Sequence, residues 1–183
     1  PWLSASRLPD LISFTPPRQQ GNHDAPPTHV RTPEGNEMPL FGDALASEVG
    51  RRLGAPVQMM QLRHGIFDEA SISVIASATV GEIGRLAAMD ADARRFRPNL
   101  VVRSTRDVPF EEDEWVGGTL TFGDEDDTPA VAVTMRDRRC SMVNLDPDGG
   151  TPAPEVMNAC VRANENYAGV YCTVTRIGRL AVG

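Results

Sequence analysis

Apolar residues recur along this chain in two rhythms, one helical and one of strands. Leu45, Val49 and Leu53 fall four residues apart, Asp43 precedes them as a cap and Gly54 follows as a stop, which predicts a helix from Asp43 to about Leu53. Ile72, Val74 and Ala76 alternate with polar residues, as expected of a strand with one face buried. Thr79-Val80-Gly81-Glu82 has the form of a capping box, so that strand should lead directly into a helix burying Ile83, Leu86 and Ala87. From Asn99 onward β-branched runs dominate: Leu100-Val101-Val102, Thr119 to Phe122, Val131 to Thr134, and Gly169 to Val174, each bounded by Gly, Asp or Pro. Pro154 fits a first helical turn, with Val156, Cys160 and Tyr167 after it on one more helix. Residues 9–39 contain seven prolines and a Gly21-Asn22 step, and read as extended or mobile surface chain. Many short strands with few helices give the fold class α+β, mainly β: a closed or nearly closed β-barrel with helices packed on it.

Composition narrows the chemistry. A chain of 183 residues, 40% hydrophobic and 23% charged, suits one compact domain or one domain with a partial second. No run approaches the roughly 20 apolar residues of a membrane span and the start lacks a signal-peptide pattern, so a cytoplasmic location without membrane contact is expected. A net charge of -7 argues against a nucleic-acid surface. All 18 basic residues are arginine, which removes a lysine Schiff base, and with it pyridoxal-phosphate chemistry, and a P-loop lysine. The acidic runs 111–114 and 124–127 lack the alternating spacing and glycine of a calcium loop, so both are expected to be solvated turns. His23, His29 and His64 are too scattered for a metal site, and no CxxC, HExxH or GxSxG motif occurs.

Cys140, Cys160 and Cys172 are odd in number and widely spaced, as suits reduced thiols. Cys160 and Cys172 fall where a small apolar side chain fits the pattern, and packing is expected for both. Cys140 is either a core cysteine at the end of a strand or a soft thiolate ligand with the positive charge of Arg138 and Arg139 beside it. Arg97 and Asn99 offer a planar donor fork and an amide that both donates and accepts, or else Arg97-Pro98-Asn99 only shapes the entry to a strand.

Three segments in order resemble one family. They are Arg95-Phe96-Arg97-Pro98-Asn99-Leu100-Val101-Val102 with Pro109 to Trp115 after a short gap, Arg139-Cys140 followed by Asp146-Pro147-Asp148-Gly149-Gly150, and the terminal Ile177 to Gly183. Together they are similar to the MOSC domain, named for the C-terminal part of molybdenum cofactor sulfurase, over about residues 64–183 and loosely over 40–63. Phe67-Asp68 before the Ile72 strand resembles the branch of the mitochondrial amidoxime-reducing component and its bacterial relatives. The resemblance implies a MOSC-type β-barrel at 61–183, with 1–60 a remnant of the N-terminal β-barrel-like subdomain. It implies molybdenum cofactor (Mo-molybdopterin) with Cys140 as metal ligand, and Arg97, Asn99, Asp68, Ser71, Arg138 and Arg139 as cofactor-binding residues.

Two departures stand out. The lysine-containing motif and the arginine that hold the cofactor phosphate in long members are absent, and Trp2 to Pro9 resembles the point just after them; Arg94, Arg95 or Arg138 could supply charge instead. Val143 and Asn144 stand where threonines commonly follow the cysteine. The expected activity is reduction of N-hydroxylated or N-oxide small molecules, with electrons from a separate ferredoxin- or flavin-reductase-type protein. The competing expectations are a sulfur carrier that uses a Cys140 persulfide and a degenerate module without cofactor.

Overall fold

The computed structural model describes residues 2–17, 27–62, 68–123 and 128–181. The expectations for His23, His64, Phe67, the acidic run 124–127 and the terminal Val182-Gly183 lie outside these residues. The chain forms two compact units, Pro1–Gly65 with Leu145–Thr151, and Ile66–Asn144 with Pro152–Gly183.

In the first unit a 3-10 turn at Pro9–Ser13 precedes an antiparallel hairpin of β1 (His29–Arg31) and β2 (Glu37–Pro39), then α1 (Asp43–Leu53). Leu8, Val30, Leu45 and Val49 form its core, with Leu11, Phe14 and Met38 packed against them, so residues 9–17 and 27–39 are not simply surface chain. Prolines disguise this, because each strand here has only three residues and carries no readable period. Helix α1 starts at Asp43 with Gly42 as its cap residue and no side-chain cap bond, which corrects the role expected of Asp43. Gly54 ends the helix as expected, at a left-handed φ of 72° that favours glycine.

The second unit runs β3 (Ile72–Ala76), α2 (Ser77–Ala87), β4 (Leu100–Val102), β5 (Thr119–Thr121), β6 (Ala130–Arg138), α3 (Pro154–Asn164) and β7 (Tyr167–Arg176). The sheet order is β4-β3-β7-β6-β5, with β3 and β4 parallel and the other pairs antiparallel. It curls into a half-barrel rather than a closed barrel, with β4 and β5 as edges among the described residues. One side packs on α2 and α3 through Ile75, Val80, Ile83, Phe96, Val156 and Cys160, and a second cluster joins Val74, Val131, Val133, Val170 and Cys172. Val74 and Ile75 are neighbours in different clusters, and both are wholly buried. Strand β3 is therefore covered on both faces, as a strand with a parallel neighbour tends to be, and not on one. Cys160 and Cys172 are fully buried within these clusters, and burial pushes both thiols up to about 11.

Tertiary contacts redraw two further expectations. Helix α2 begins at Ser77, and Thr79 sits inside its first turn instead of capping it. Its hydroxyl donates to Glu112 Oε2 at 2.8 Å and accepts from the Phe110 N–H at 2.7 Å. Glu112 Oε1 accepts the N–H groups of Ala76 at 3.4 Å and Gly169 at 3.2 Å, so one carboxylate ties the start of α2 to β7. Glu111–Trp115 is a 3-10 turn whose Glu111 and Glu112 are buried, which overturns the reading of this run as solvated. Burial raises the Glu112 carboxyl above its ordinary range, against the pull of its hydrogen bonds. Tyr167 opens β7 rather than extending α3, because Glu165 and Asn166 take left-handed φ angles of 52° and 76° and turn the chain. No helix among the described residues is long and apolar enough to cross a membrane.

Candidate functional site

Two turns of the second unit enclose a cleft of about 280 Å³. One is the 3-10 turn Ala93–Phe96, with Arg97 as its C-cap; the other follows β6 and carries Cys140. Asp68, Ser71, Arg97, Asn99, Arg138, Arg139 and Cys140, all nominated from the sequence, line this one cleft. Cys140 is exposed, unlike the other two thiols, so the reading of it as a core cysteine is set aside.

Arg139 holds the two turns together. Its guanidinium faces inward, donating from Nε to the Ala168 carbonyl at 2.6 Å and from Nη1 to the Phe96 carbonyl at 2.9 Å. Nη1 also lies 2.9 Å from Asp137 Oδ2, with both side chains buried. Its backbone is fixed from both sides: the N–H donates to the Asn166 carbonyl at 2.9 Å and the carbonyl accepts from Asn166 Nδ2 at 2.7 Å. The residue immediately before Cys140 is thus bonded to the residue immediately before Arg97. Gly169 makes room for this arginine. At its φ of +85°, a Cβ would lie 2.7 Å from the Val74 carbonyl oxygen and 2.9 Å from Arg139 Nη2. Nη2 is buried without a hydrogen-bond partner among the described residues.

Arg97 adopts φ 50° and ψ 41° directly before Pro98, where sterics favour extended backbone. Such a conformation costs on the order of 1–3 kcal/mol and persists only where its surroundings fix it. Here the Arg97 N–H donates to the Arg94 carbonyl at 3.0 Å, and the Asn99 N–H to the Ser73 carbonyl at 2.8 Å. Asn99 Oδ1 accepts the Ser73 N–H at 2.8 Å, which leaves the Nδ2 donors as the part of that amide available to a ligand. Arg94 is bonded to Asp92 and is not among the cleft residues, whereas Arg95 lines the cleft and donates to the Asn144 carbonyl at 3.0 Å.

The sequence reading missed Asp137 and Tyr171, which also line the cleft. Asp137 is buried and accepts from Ser73 Oγ at 3.1 Å and from Tyr171. Burial raises its carboxyl above the ordinary range despite the opposing Arg139 charge, and burial lowers Arg139 despite Asp137. Desolvation therefore outweighs the mutual attraction for both partners. Tyr171 is pushed up to about 12, first by burial and then by the charges of Asp137 and Asp68. An aspartate inside a β-branched strand three residues before a nominated cysteine was the available signal. Val143 is buried in the core, and Asn144 Oδ1 accepts the Met157 N–H at 2.9 Å in the first turn of α3, so these two replacements serve the fold.

The donor set joins an exposed soft thiol to exposed guanidinium groups at Arg97 and Arg138, with the Asp68 carboxylate and the Ser71 hydroxyl nearby. A soft metal carrying an anionic, hydrogen-bonding organic group fits such residues. The cleft's volume lies close to the lower end of the roughly 300–1,000 Å³ typical of small-molecule sites. Fold and site together define an α+β half-barrel domain with a thiol- and arginine-lined ligand cleft. The MOSC domain model matches residues 49–183, most of the chain, and the chain belongs to the MOSC domain family. That family is linked to molybdenum cofactor binding. No curated protein matches the chain.

Proposed function

We propose that this domain binds molybdenum cofactor in the cleft and reduces N-hydroxylated or N-oxide small molecules, as in the amidoxime-reducing branch of the family. One observation carries the reading: the seven nominated residues, drawn from three separate stretches of sequence, line a single cleft in which Cys140 is the exposed thiol. Cys140 is the metal ligand. Arg97 and Arg138 hold the cofactor's phosphate and pterin carbonyl, while Asn99 Nδ2, Asp68 and Ser71 contact the pterin edge. Arg139 acts through the protein, fixing the Cys140 and Arg97 turns at their spacing.

When bound, the cofactor supplies a metal that cycles between oxidation states, the chemistry that oxygen removal needs. The balance is an N–OH group plus two electrons and two protons giving N–H and water, the electrons arriving from a separate ferredoxin- or flavin-reductase-type protein in the cytoplasm. Incubating the purified holoprotein with a chemical reductant and an N-hydroxylated aromatic compound tests this. Wild type forms the reduced nitrogen compound and Cys140→Ser does not; equal rates in the two proteins contradict the proposal.

A further inference from the structure

Asp137 and Tyr171 line the cleft with Cys140, yet ligation of the metal and binding of the cofactor use neither. The sheet itself brings the two together. Strand β7 sets Tyr171 opposite Ser73 of β3 and opposite Met135 of β6. The β6–β7 ladder then shifts: Arg136 pairs with Val170 and Arg138 with Tyr167, so Asp137 alone stands opposite Ala168 and Gly169. Bulges of this kind re-aim side chains and concentrate beside functional sites. Here the Asp137 carboxyl is carried inward, to 2% exposure. Ser73 Oγ and Arg139 Nη1 reach its Oδ2 at 3.1 and 2.9 Å, and the Tyr171 hydroxyl hydrogen-bonds the same carboxyl. Of these three partners Arg139 never gives up a proton, and a phenol is far more acidic than the Ser73 alcohol. Tyr171 is therefore the route by which a proton on Asp137 reaches the cleft.

We infer that Tyr171 and Asp137 form a proton relay: Tyr171 protonates the oxygen released from the substrate nitrogen and takes a proton back from Asp137. The inference rests on the reductase reading, which puts the N–OH group in the cleft. Each turnover takes up two electrons, from the ferredoxin- or flavin-reductase-type donor, and two protons. The released oxygen keeps its own hydrogen, gains one through Tyr171 and leaves as water, while the nitrogen takes the other proton from water in the cleft. When product leaves, water enters and returns a proton to Asp137 by the same route. The charges around the pair favour this storage. Burial is the largest influence on both groups, raising the Asp137 carboxyl and pushing Tyr171 up to about 12. Asp68, exposed ahead of β3, acts in the same direction on both, and Arg139 opposes. A phenol held so high is a poor acid alone but stays protonated at working pH, and the relay draws its acid strength from Asp137, whose raised carboxyl lies nearer that pH.

Holoprotein, a chemical reductant and N-phenylhydroxylamine test the relay, with aniline as the product measured. Tyr171→Phe keeps the ring and removes the hydroxyl, and should lower kcat about 100-fold or more with KM and molybdenum content unchanged. The wild-type rate should fall as pH rises and Asp137 loses its proton. Asp137→Asn keeps a hydrogen bond but no transferable proton, and should abolish that limb of the profile. In metal-free protein the infrared band of the protonated Asp137 carboxyl, identified by its loss in Asp137→Asn, should shift in Tyr171→Phe. A Tyr171→Phe rate equal to wild type, a pH limb that survives Asp137→Asn, or a band that ignores Tyr171→Phe overturns the inference. Molybdenum lost from Tyr171→Phe also overturns it, because the hydroxyl then serves the cofactor and not the proton. Should Asp137→Asn not fold, the rate of Tyr171→Phe decides alone. Wild type that forms no aniline defeats the reductase reading and the relay with it, whereas aniline formed equally by wild type and Tyr171→Phe defeats the relay alone.

Discussion

Replacing Arg139 by methionine should be the most damaging single change near the cleft. The substitution keeps much of the aliphatic stem and removes the guanidinium, so Asp137 stays buried with its ion partner gone and the carbonyls of Ala168 and Phe96 lose a donor each. Breaking a buried pair by removing one member costs about 3–5 kcal/mol, most of it from the abandoned charge. Removing the abandoned charge as well, in Asp137→Asn/Arg139→Met, should recover a coupling of about 1–3 kcal/mol. Urea denaturation of wild type, both single variants and the double variant gives the cycle directly. The pH dependence adds a sign. The Asp137 carboxyl is raised already in the folded protein, and losing the Arg139 charge raises it further, so Arg139→Met should be closest to wild type in acid and fall away as pH rises. A loss below about 1 kcal/mol at neutral pH, or full additivity in the cycle, would refute the account of Arg139 as the bond between the two turns.

Three other outcomes follow from the same structure. Glu112→Gln should gain on wild type as pH rises from below 4.5 toward neutral, because a carboxyl raised in the folded state contributes stability below its unfolded pKa and loses it as pH passes through the raised value; a pH-independent difference in urea midpoints would count against this. Gly169→Ala should cost roughly 2–4 kcal/mol, from left-handed strain together with the 2.7 Å approach to the Val74 carbonyl, and thermal denaturation that matches wild type would show the packing to be looser than described. Brief alkylation of the folded, metal-free protein should give one adduct, at Cys140, since Cys160 and Cys172 are buried with thiols at about 11; mass spectrometry finding either of them modified at a comparable rate would contradict the core assignment.

Where local chemistry alone decides, the sequence was sufficient. Gly54 ends α1, Pro154 starts α3, and the β-branched run at Leu100 forms a strand, each for a reason contained within a few residues. Thr79 departs from the capping role its local pattern predicts because its hydroxyl is engaged by Glu112, 33 positions away, and that carboxylate also takes the N–H of Gly169, 57 positions from it. No local pattern announces such a partner, and an acidic run read alone looks solvated. Strand β3 has the alternation of a half-buried strand yet is covered on both faces for the same reason, since its second covering layer comes from α2 and α3. The cleft was more legible than the packing because Arg97, Asn99 and Cys140 stand in recognisable local phrases. Asp137 and Tyr171 stand in none, and only strand pairing and burial bring them to the floor of the cleft.

The central claim is that Cys140 ligates a molybdenum cofactor, and metal and pterin analysis of two proteins tests it most directly. Wild type and Cys140→Ser, purified alike from a host that makes the cofactor, should differ: near-stoichiometric molybdenum with pterin in the first, and severe loss of molybdenum in the second. Metal-free wild type, or equal molybdenum in both, would contradict the account, and a labile sulfur adduct on Cys140 without pterin would point to sulfur transfer instead.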